Sequence, residues 1–431
     1  MKLKRIFCLR GCLALMLGLS GFRVWCGEAP NEPSVEALVR DALQTNPELR
    51  FYQAEIAAAK AGRRTAGMLP NPELSGSVGQ KSVRGGDAAG DGVAWSVSVL
   101  QPFEWPGRIG LRKAIANRDI ELAEIGLLRF KAALTARVRG LAYGLFAAQK
   151  KAAAAREVAD RFAALKEVLV QRDPAGLTPL LETRVIEATE LNAQRKASEA
   201  TLTMKGALLE LNQLRGQPPG DSLLVTEPAM RFQPAEALEV LLASARTNNF
   251  EIRARAVELS QQGFRVDLAR NERYPAISVG PSISEEHAGD RERRIELGVT
   301  VPIPLWNRNQ GNIEVTRARQ AQAETALFVT QREVERKVAE AALTYESKAR
   351  EMSRWRDDAP EHFREAAELA DRHYRLGAVP ISTYVELQKQ YLEAVEGLLD
   401  TRKEALEAAG QLELLTGLPL PVGIAPTEES K

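Results

Sequence analysis

Two long runs of helix-forming residues constrain the fold of this chain more than any other feature. They cover about 64 residues each, 108–171 and 312–375, and the only proline inside them is Pro360. A helix of that length extends over roughly 95 Å, far longer than a helix of an ordinary globular domain. Apolar residues recur in both runs at alternating steps of four and three, which is coiled-coil spacing. The positions that carry this spacing are Leu134, Val138, Leu141, Leu145, Val158, Phe162, Leu165, Leu169, Val334, Val338, Ala341 and Tyr345.

The order of landmarks repeats after about 200 residues. Asn46 lies in EALVRDALQTNPEL and Asn249 in EVLLASARTNNFEI, while LRGQPP at Leu214 corresponds to LTGLPL at Leu415. This period is far longer than a solenoid repeat, so it predicts a duplicated unit. The predicted organisation is a signal peptide at 1–26, a first repeat at 27–230, a second repeat at 231–420 and a tail at 421–431.

Each repeat is predicted to contain the same elements in the same order. A helical stretch comes first, at 34–67 and at 235–271, and two strands, a long helix and a shorter return helix follow. The predicted strands are 74–81, 93–101, 277–284 and 294–302, and the return helices are 179–215 and 381–416.

The strands alternate between an apolar and a polar face. In RIELGVTV, Ile295, Leu297 and Val299 share one face, whereas Glu296 and Thr300 share the other. This pattern is typical of a transmembrane β-strand and also of a half-buried strand in a soluble sheet. Four strands cannot close a barrel in lipid, because about eight are needed. If these strands enter a bilayer, several chains must therefore share one barrel.

Charge and cysteine usage narrow the classes of function. The 431 residues include 58 basic and 57 acidic side chains, so no nucleic-acid partner is indicated. Cys8, Cys12 and Cys26 all lie in or beside a basic, apolar N-terminal segment that reads as an export signal. An uncleaved anchor, or a lipid attached to Cys26, is the alternative for this segment. No disulfide framework or thiolate metal site is expected after its removal.

No enzymatic motif and no cofactor site is apparent in the sequence. It contains no nucleophile elbow, zinc-protease motif or phosphate loop. Its three histidines, His287, His362 and His373, lack metal-ligand spacing. The chain is therefore predicted not to be an enzyme and to hold no resident metal or cofactor.

Three phrases resemble the TolC-like outer-membrane efflux protein family. MLPNPELS at Met68 resembles the entry into its first barrel strand. LQPFEWPGRIGLRKA at Leu100 and VTVPIPLWNRNQGNIEVTRA at Val299 resemble the two places where a strand continues into a long helix, and they are most similar to the heavy-metal RND branch.

The resemblance implies a mainly α fold with a small β part. Three protomers would each contribute four strands to one twelve-stranded outer-membrane β-barrel, which continues as a coiled-coil α-barrel into the periplasm of a Gram-negative type envelope. The homotrimer would contact outer-membrane lipid, dock on a periplasmic adaptor (membrane fusion) protein and serve an inner-membrane RND pump. The implied function is a passive export conduit, with heavy-metal cations among the candidate cargoes.

The resemblance also assigns roles to individual residues. The barrel-to-helix junctions are Pro102, Pro106, Pro302 and Pro304. The tips that dock on the adaptor are Gly176, Leu177, Leu376 and Gly377. The periplasmic gate is Glu386, Thr383 and Tyr374, where Thr383 replaces an acidic residue of the family. Independently of the family, Ser382 is expected to cap the returning helix.

Two alternative functions remain open from the sequence. One is a periplasmic coiled-coil structural or adaptor protein, which would have a single helical hairpin between compact β-domains. The other is the outer-membrane channel of a type I secretion system. The sequence does not fix the cargo, and it leaves open whether Glu386 faces the pore.

Overall fold

The structure, a computed structural model, describes residues 33–85, 89–172, 180–356, 358–419 and 421–425. Its helices are α1 (Val35–Thr45), α2 (Glu48–Ala66), α3 (Arg108–Arg172), α4 (Leu180–Leu214), α5 (Leu238–Asn248), α6 (Phe250–Asn271), α7 (Gln310–Met352), α8 (Ala359–Arg375) and α9 (Ile381–Thr416). Its strands are β1 (Glu73–Val83), β2 (Gly90–Phe103), β3 (Ala229–Phe232), β4 (Ile277–Ala288), β5 (Asp290–Thr300) and β6 (Val422–Ala425). The signal peptide predicted at 1–26 lies outside the described residues.

This architecture confirms the predicted fold class, mainly helical with a small sheet part. The larger sheet has the order β1-β2-β4-β5, and every neighbouring pair is antiparallel. Strands from both repeats therefore join one sheet, with β1 and β5 at its edges. A barrel closed by further copies stays a prediction at this point.

In the described part of the chain, no helix has both the length and the apolar composition needed to traverse a lipid bilayer.

The first long run forms one continuous helix, in which Leu134, Val138, Leu145, Val158, Phe162 and Leu165 are buried. α3 contains 65 residues, which corresponds to about 98 Å. Val138, Leu145, Val158 and Phe162 belong to one buried core with residues of α1, α4, α8 and α9. In the second repeat, Val334, Val338, Ala341 and Tyr345 form a separate core with α5 and α9. The alternating spacing therefore identified the packed face of both helices.

The second long run, predicted as one helix at 312–375, is two helices. α7 ends at Met352, and α8 begins at Ala359 with Pro360 in its first turn. A proline inside a helix lacks the N–H of the i→i−4 bond and its ring clashes with the preceding turn, whereas the first turn accepts it. Trp355 in the connection packs over Gly397 of α9, where an added Cβ would lie 3.0 Å from the indole ring.

Each of the predicted first helical stretches is also two helices, divided at a buried asparagine. Asn46 accepts a hydrogen bond from Glu48 N (2.9 Å) and donates one to Leu214 O (2.8 Å). Asn249 accepts from Glu251 N (2.9 Å) and donates to Leu415 O (3.0 Å). The asparagine of each half therefore bonds to the leucine of the same half, Asn46 to Leu214 and Asn249 to Leu415, so the two halves make equivalent contacts.

Replacing either asparagine with alanine should destabilise the fold by about 1–3 kcal/mol, because a buried carbonyl and a helix N-terminal N–H lose their partner. Chemical denaturation followed by circular dichroism measures the change for Asn46→Ala and Asn249→Ala. Asn192, exposed on α4, provides the control, and Asn192→Ala should stay within about 0.5 kcal/mol of the parent. Equal midpoints for the three variants would contradict this role.

A second, two-stranded sheet was not predicted. β3 crosses the predicted boundary between the repeats at 230 and pairs antiparallel with β6, which lies in the segment predicted as a tail at 421–431. The hydroxyl of Tyr345 lies 2.6 Å from Gln233 O and 2.9 Å from Pro421 O, so one donor serves both connecting segments. The segment around Gln233, between the two repeats, and the segment around Pro421, after the second repeat, are thereby both bonded to Tyr345 of α7.

Candidate channel surfaces

One face of the four-stranded sheet is apolar and open to the surroundings. Paired residues lie on the same face, so the register joins Val78 to Trp95, Leu74 to Val99 and Val97 to Ile283. The apolar row continues across β5, where Leu297 is 74% exposed, as Leu74 is 75% exposed on β1. Residues of this face that are more than one-third exposed are Leu74, Val78, Val93, Trp95, Val97, Val99, Ile283, Ile295, Leu297 and Val299. An apolar area of this extent is unusual on a protein surface that faces water.

The opposite face is polar and is dominated by serine. Ser75 Oγ and Ser98 Oγ are 2.7 Å apart, and Ser77 Oγ and Ser96 Oγ are 2.8 Å apart. The row extends to β4, where Ser282 pairs with Ser98. Charged side chains of β1, β4 and β5 complete this face: Lys81, Glu286, Glu292, Arg294 and Glu296. One side of the sheet is therefore suited to water and the other is not.

Aromatic residues lie toward both ends of the apolar face. Trp95 lies near the end next to the loops, whereas Phe103 and Trp105 lie where β2 leaves the sheet. The eight residue steps from Trp95 to Phe103 span about 27 Å along a strand. At a strand tilt of about 40° this becomes roughly 20 Å along the barrel axis, close to the apolar band of about 25 Å with flanking aromatic girdles that bilayer barrels have.

The first junction between sheet and helix is held by side chains of both repeats. Pro102 pairs opposite Ser278 at the end of β2, and Pro106 precedes α3. Arg108 donates to Tyr274 O (2.6 Å) and to Asn271 Oδ1 (3.1 Å) at the end of α6. Arg112 forms a bidentate pair with Glu104, with both N–O distances at 2.7 Å. Trp105 also stacks on Tyr274, with ring centroids 4.8 Å apart.

The second junction is far more exposed. Pro302 and Pro304 lie in the segment between β5, which ends at Thr300, and α7. Trp306 is 90% exposed, and its apolar neighbours Ile303 and Leu305 are at least 60% exposed. Asn309, the one described non-glycine residue with a positive φ (62°), precedes α7 and donates to Ala269 O. Within the described chain, this segment is less covered than the first junction, where Trp105 is 40% exposed.

The second helix reversal places Leu376 and Gly377 at an exposed turn. Gly377 has φ 73°, and Ala378 N donates to His373 O (2.8 Å), which is a glycine-terminated helix end. Leu376 is 81% exposed.

Ser382 does not cap α9, so the capping prediction was wrong. Pro380 occupies the N-cap position and no side chain caps the helix, because the serine lies inside the first turn. Gly176 and Leu177, the predicted tip of the first reversal, lie outside the described residues.

The three predicted gate residues are close along the chain but have different environments. Thr383 and Glu386 are exposed on α9, and Glu386 accepts a hydrogen bond from Gln390 (3.0 Å). Tyr374 is partly buried and stacks on Tyr384, with ring centroids 5.5 Å apart. The structure of one chain does not bring the carboxylate of Glu386 into contact with the tyrosine.

A charged network near this turn was not found from the sequence. Arg161 of α3 is largely buried and donates to Glu157 (2.6 Å), Glu368 of α8 (3.3 Å) and Gln388 of α9 (3.1 Å). Gln388 is fully buried and also donates to Ala367 O (2.8 Å). The network therefore joins the pair α8 and α9 to α3. In the sequence, the only indication of this network is a polar residue, Gln388, at a position of α9 whose neighbours in the buried face are mostly apolar.

Burial raises the pKa of five of the seven tyrosines. The pKa of Tyr391 is raised to about 12 by burial and by Glu157, and burial raises that of Tyr345 to about 12. Tyr384 and Tyr143 shift in the same direction through burial, with Asp371 adding to the shift of Tyr384. The pKa of Tyr374 is raised by burial and by Glu182.

An alkaline titration should therefore destabilise the helical part. Tyrosines in the unfolded chain ionise near pH 10, so the folded state binds these protons more tightly. Their contribution to stability is complete below about pH 10 and is lost as pH rises through about 12. Phenolate absorbance should lag behind that of the denatured protein, and its late part should coincide with loss of helical circular dichroism. Ionisation of these five tyrosines near pH 10 with an unchanged helix signal would contradict the assigned burial.

Among the described residues, no group of three or more His, Cys, Asp or Glu side chains has the arrangement of a metal site.

Comparisons with known proteins found similar sequences and one similar family. Residues 241–418 match the family described as outer membrane efflux protein. The cobalt-zinc-cadmium resistance protein CzcC of Cupriavidus metallidurans is 26% identical over 312 residues, which cover 71% of this chain and 72% of CzcC. The pyoverdine export outer membrane protein OpmQ of Pseudomonas aeruginosa is 23% identical over 413 residues, which cover 90% of this chain and 86% of OpmQ.

The fold is shared with a solved channel. The CmeC outer membrane channel of Campylobacter jejuni superposes with a TM-score of 0.71 at 14% identity, over 89% of this chain and 85% of CmeC. The predictions of an efflux function and of an outer-membrane location agree with the matched family and are confirmed at that level. In its helical hairpins and its open four-stranded sheet, the chain is similar to outer membrane efflux proteins, and residues 241–418 carry the match to that family.

Proposed function

We propose that the chain is one protomer of a homotrimeric, passive outer-membrane channel, and not an enzyme. The observation that carries this proposal is the open sheet, with an exposed apolar face on one side and a serine-rich face on the other, continuing into long helices. Lipid would cover the apolar face and water would fill the channel behind the polar face.

The free edges of the sheet support a shared barrel. β1 and β5 each have one neighbour within the described chain, and an open edge in a bilayer leaves backbone groups without partners. Four strands from each of three copies would give twelve strands. Because β1 and β5 run in opposite directions, β5 of one copy can pair antiparallel with β1 of the next and close the cylinder.

The exposed second junction supports the same assembly. α3 lies between α2 and α6, and α7 packs on the far side of α6. In the repeat, α7 corresponds to α3 and α6 corresponds to α2. The contact that α3 makes with α6 would therefore be repeated between α7 and α2 of the next copy. That contact would cover Trp306, just as Tyr274 covers Trp105 in the first junction.

The tip formed by Leu376 and Gly377, and by Gly176 and Leu177 of the first reversal, is proposed to dock on a periplasmic adaptor of an inner-membrane RND pump. Glu386, Thr383 and Tyr374 are proposed as the gate. The Arg161 network supports this assignment, because it holds α8 and α9 against α3 and must rearrange if that helix pair moves. The division into repeats at 27–230 and 231–420 is part of the same proposal.

Heavy-metal cations are the proposed cargo. CzcC, a relative over about seven-tenths of the chain, is named for cobalt, zinc and cadmium resistance, whereas OpmQ is named for pyoverdine export. A water-filled conduit needs no resident metal site for such cargo. Deleting the gene should increase sensitivity to cobalt, zinc or cadmium salts; sensitivity unchanged for these metals, with impaired siderophore export, would favour the second cargo.

The direct test of the channel uses protein purified in detergent. We expect a trimer by light scattering and ion-conducting pores in planar bilayers. A monodisperse monomer that remains soluble without detergent and forms no pores would contradict the proposal and favour a periplasmic structural role.

Substituting Glu386 tests the gate. Three carboxylates near one axis would repel each other and attract cations, as charged rings in channels do. Glu386→Ala should therefore change the single-channel conductance and lower the preference for cations over anions. Glu404, exposed on the same helix 18 residues farther from the turn, gives the control Glu404→Ala, which should leave both unchanged. Identical currents for Glu386→Ala and the parent would place Glu386 outside the pore.

A further inference from the structure

Two arginines extend the apolar face of the sheet at its loop end. The register joins Trp95 to Glu285 and Glu285 to Arg293, while His287 pairs with Arg291. Arg293 and Arg291 therefore lie on the same face as Ile295 and the residues after it. Arg293 lies in the row that contains Trp95, and Arg291 lies one step of two residues, about 7 Å, farther toward the loops.

One carboxylate orients both guanidinium groups. Glu285 Oε1 accepts from Arg291 Nε (2.8 Å), and Glu285 Oε2 accepts from Arg293 Nε (3.1 Å) and Nη2 (2.9 Å). The Glu285 side chain is 11% exposed, whereas both arginine side chains are 61% exposed. Two positive charges share one negative charge, so the cluster keeps a net charge of about +1 and free N–H groups toward the surroundings.

The charged residues of the other face are paired separately. Lys81 bonds to Glu286, and Arg294 donates to Glu292 (3.3 Å). These side chains belong to the polar face, because their positions alternate with those of Arg293 and Glu285. The cluster of Arg291, Arg293 and Glu285 therefore lies on the apolar side of the sheet, in the row of Trp95 and the next row toward the loops.

We propose that Arg291 and Arg293 form a binding site for the phosphate group of a glycolipid in the outer leaflet. This inference rests on the proposed function, since it requires the apolar face to lie in the outer membrane. Guanidinium groups bind phosphate oxygens through paired N–H donors. The acyl chains of the same lipid would lie along Ile295, Leu297 and Val299, while Trp95 occupies the interface beside the headgroup.

The geometry favours a lipid over a free anion. The two arginines border an exposed apolar surface, so a ligand with phosphate and acyl chains contacts both at once. A free phosphate would gain only the charged contact, which solvent and salt weaken at an exposed site. The preorganisation by Glu285 reduces the side-chain entropy that is lost on binding.

Native mass spectrometry of the detergent-purified protein with added lipid A tests the site. We expect lipid A to remain bound to the wild type, and Arg291→Gln together with Arg293→Gln to weaken retention at least tenfold. Arg294→Gln is the matched control, since it removes a guanidinium from the polar face of the same strand, and it should bind like the wild type. Lipid A without its phosphates should bind all three proteins equally weakly.

Two outcomes would overturn the inference. One is equal retention by the wild type and the double variant; the other is an equal loss in the Arg294→Gln control. Conductance and trimer mass are recorded on the same samples. A conducting trimer without arginine-dependent lipid retention refutes the lipid site alone, whereas a wild type that is neither trimeric nor conducting refutes the proposed function itself.

Discussion

Leu297→Arg should remove the protein from the outer membrane. Leu297 lies near the middle of the apolar face, in the row with Leu74 and Val99, and is 74% exposed in the isolated chain. An arginine on the lipid face near the bilayer midplane costs about 2–4 kcal/mol, and a trimer would carry this cost three times. Fractionation of cell envelopes with immunodetection should show the variant lost from the outer membrane or degraded.

The neighbouring position on the same strand supplies the control. Glu296 lies on the polar face, opposite Ser282, so Glu296→Arg should still insert and should instead alter the ion selectivity of the pore. Normal insertion of Leu297→Arg, or equal loss of both variants, would contradict the assignment of the two faces.

Gly280→Ala should prevent formation of the sheet. A Cβ at Gly280 would lie 1.8 Å from Val99 O and 2.9 Å from Leu100 Cα, so the obstacle is the backbone of β2 and not a flexible side chain. β2 and β4 would have to separate where the two repeats join. We expect loss of folded trimer, detected as the absence of a heat-modifiable band on mild denaturing gels.

A glycine on the edge strand is the matched control for this effect. Gly79 lies in β1, and no atom outside its immediate neighbours comes within 4 Å of an added Cβ. Gly79→Ala should therefore assemble normally, because alanine is no worse than glycine in a strand. Normal assembly of Gly280→Ala would mean that β2 and β4 do not approach as closely as described.

Features that depend on local periodicity were predictable from the sequence. The buried positions of α3 and α7 follow from the alternating three- and four-residue spacing, with Val138 and Val334 both fully buried. The strand faces follow from the two-residue alternation, as Leu297 and Glu296 illustrate. Weak matches between the repeats also had structural meaning, because Asn46 and Asn249 make equivalent bonds to the paired landmarks Leu214 and Leu415.

Features that depend on distant contacts were not predictable. The division at Pro360 was visible as a proline, but the packing of Trp355 over Gly397 in the connection is a contact between distant residues. β3 and β6 are four residues each, too short for a periodic signal. The Arg161 network joins residues more than 200 positions apart, and single-sequence spacing cannot reveal such pairs.

The gate was the least predictable part of the candidate site. Thr383 and Glu386 were placed by family position alone, and both are exposed in the isolated chain. Whether such side chains converge depends on a three-fold axis, which no property of a single chain defines. Tyr374 differs, because its stacking on Tyr384 is an internal contact that its aromatic character favours.

Cysteine cross-linking between the two sheet edges tests most directly whether neighbouring copies complete one cylinder. Single cysteines are placed at successive positions of β1 and of β5 on a background that lacks Cys8, Cys12 and Cys26, and membranes are oxidised before denaturing electrophoresis. We expect specific β1–β5 combinations, in an antiparallel register, to yield covalent dimers and trimers. Monomers alone from every combination, in membranes where the protein is present, would contradict the shared barrel.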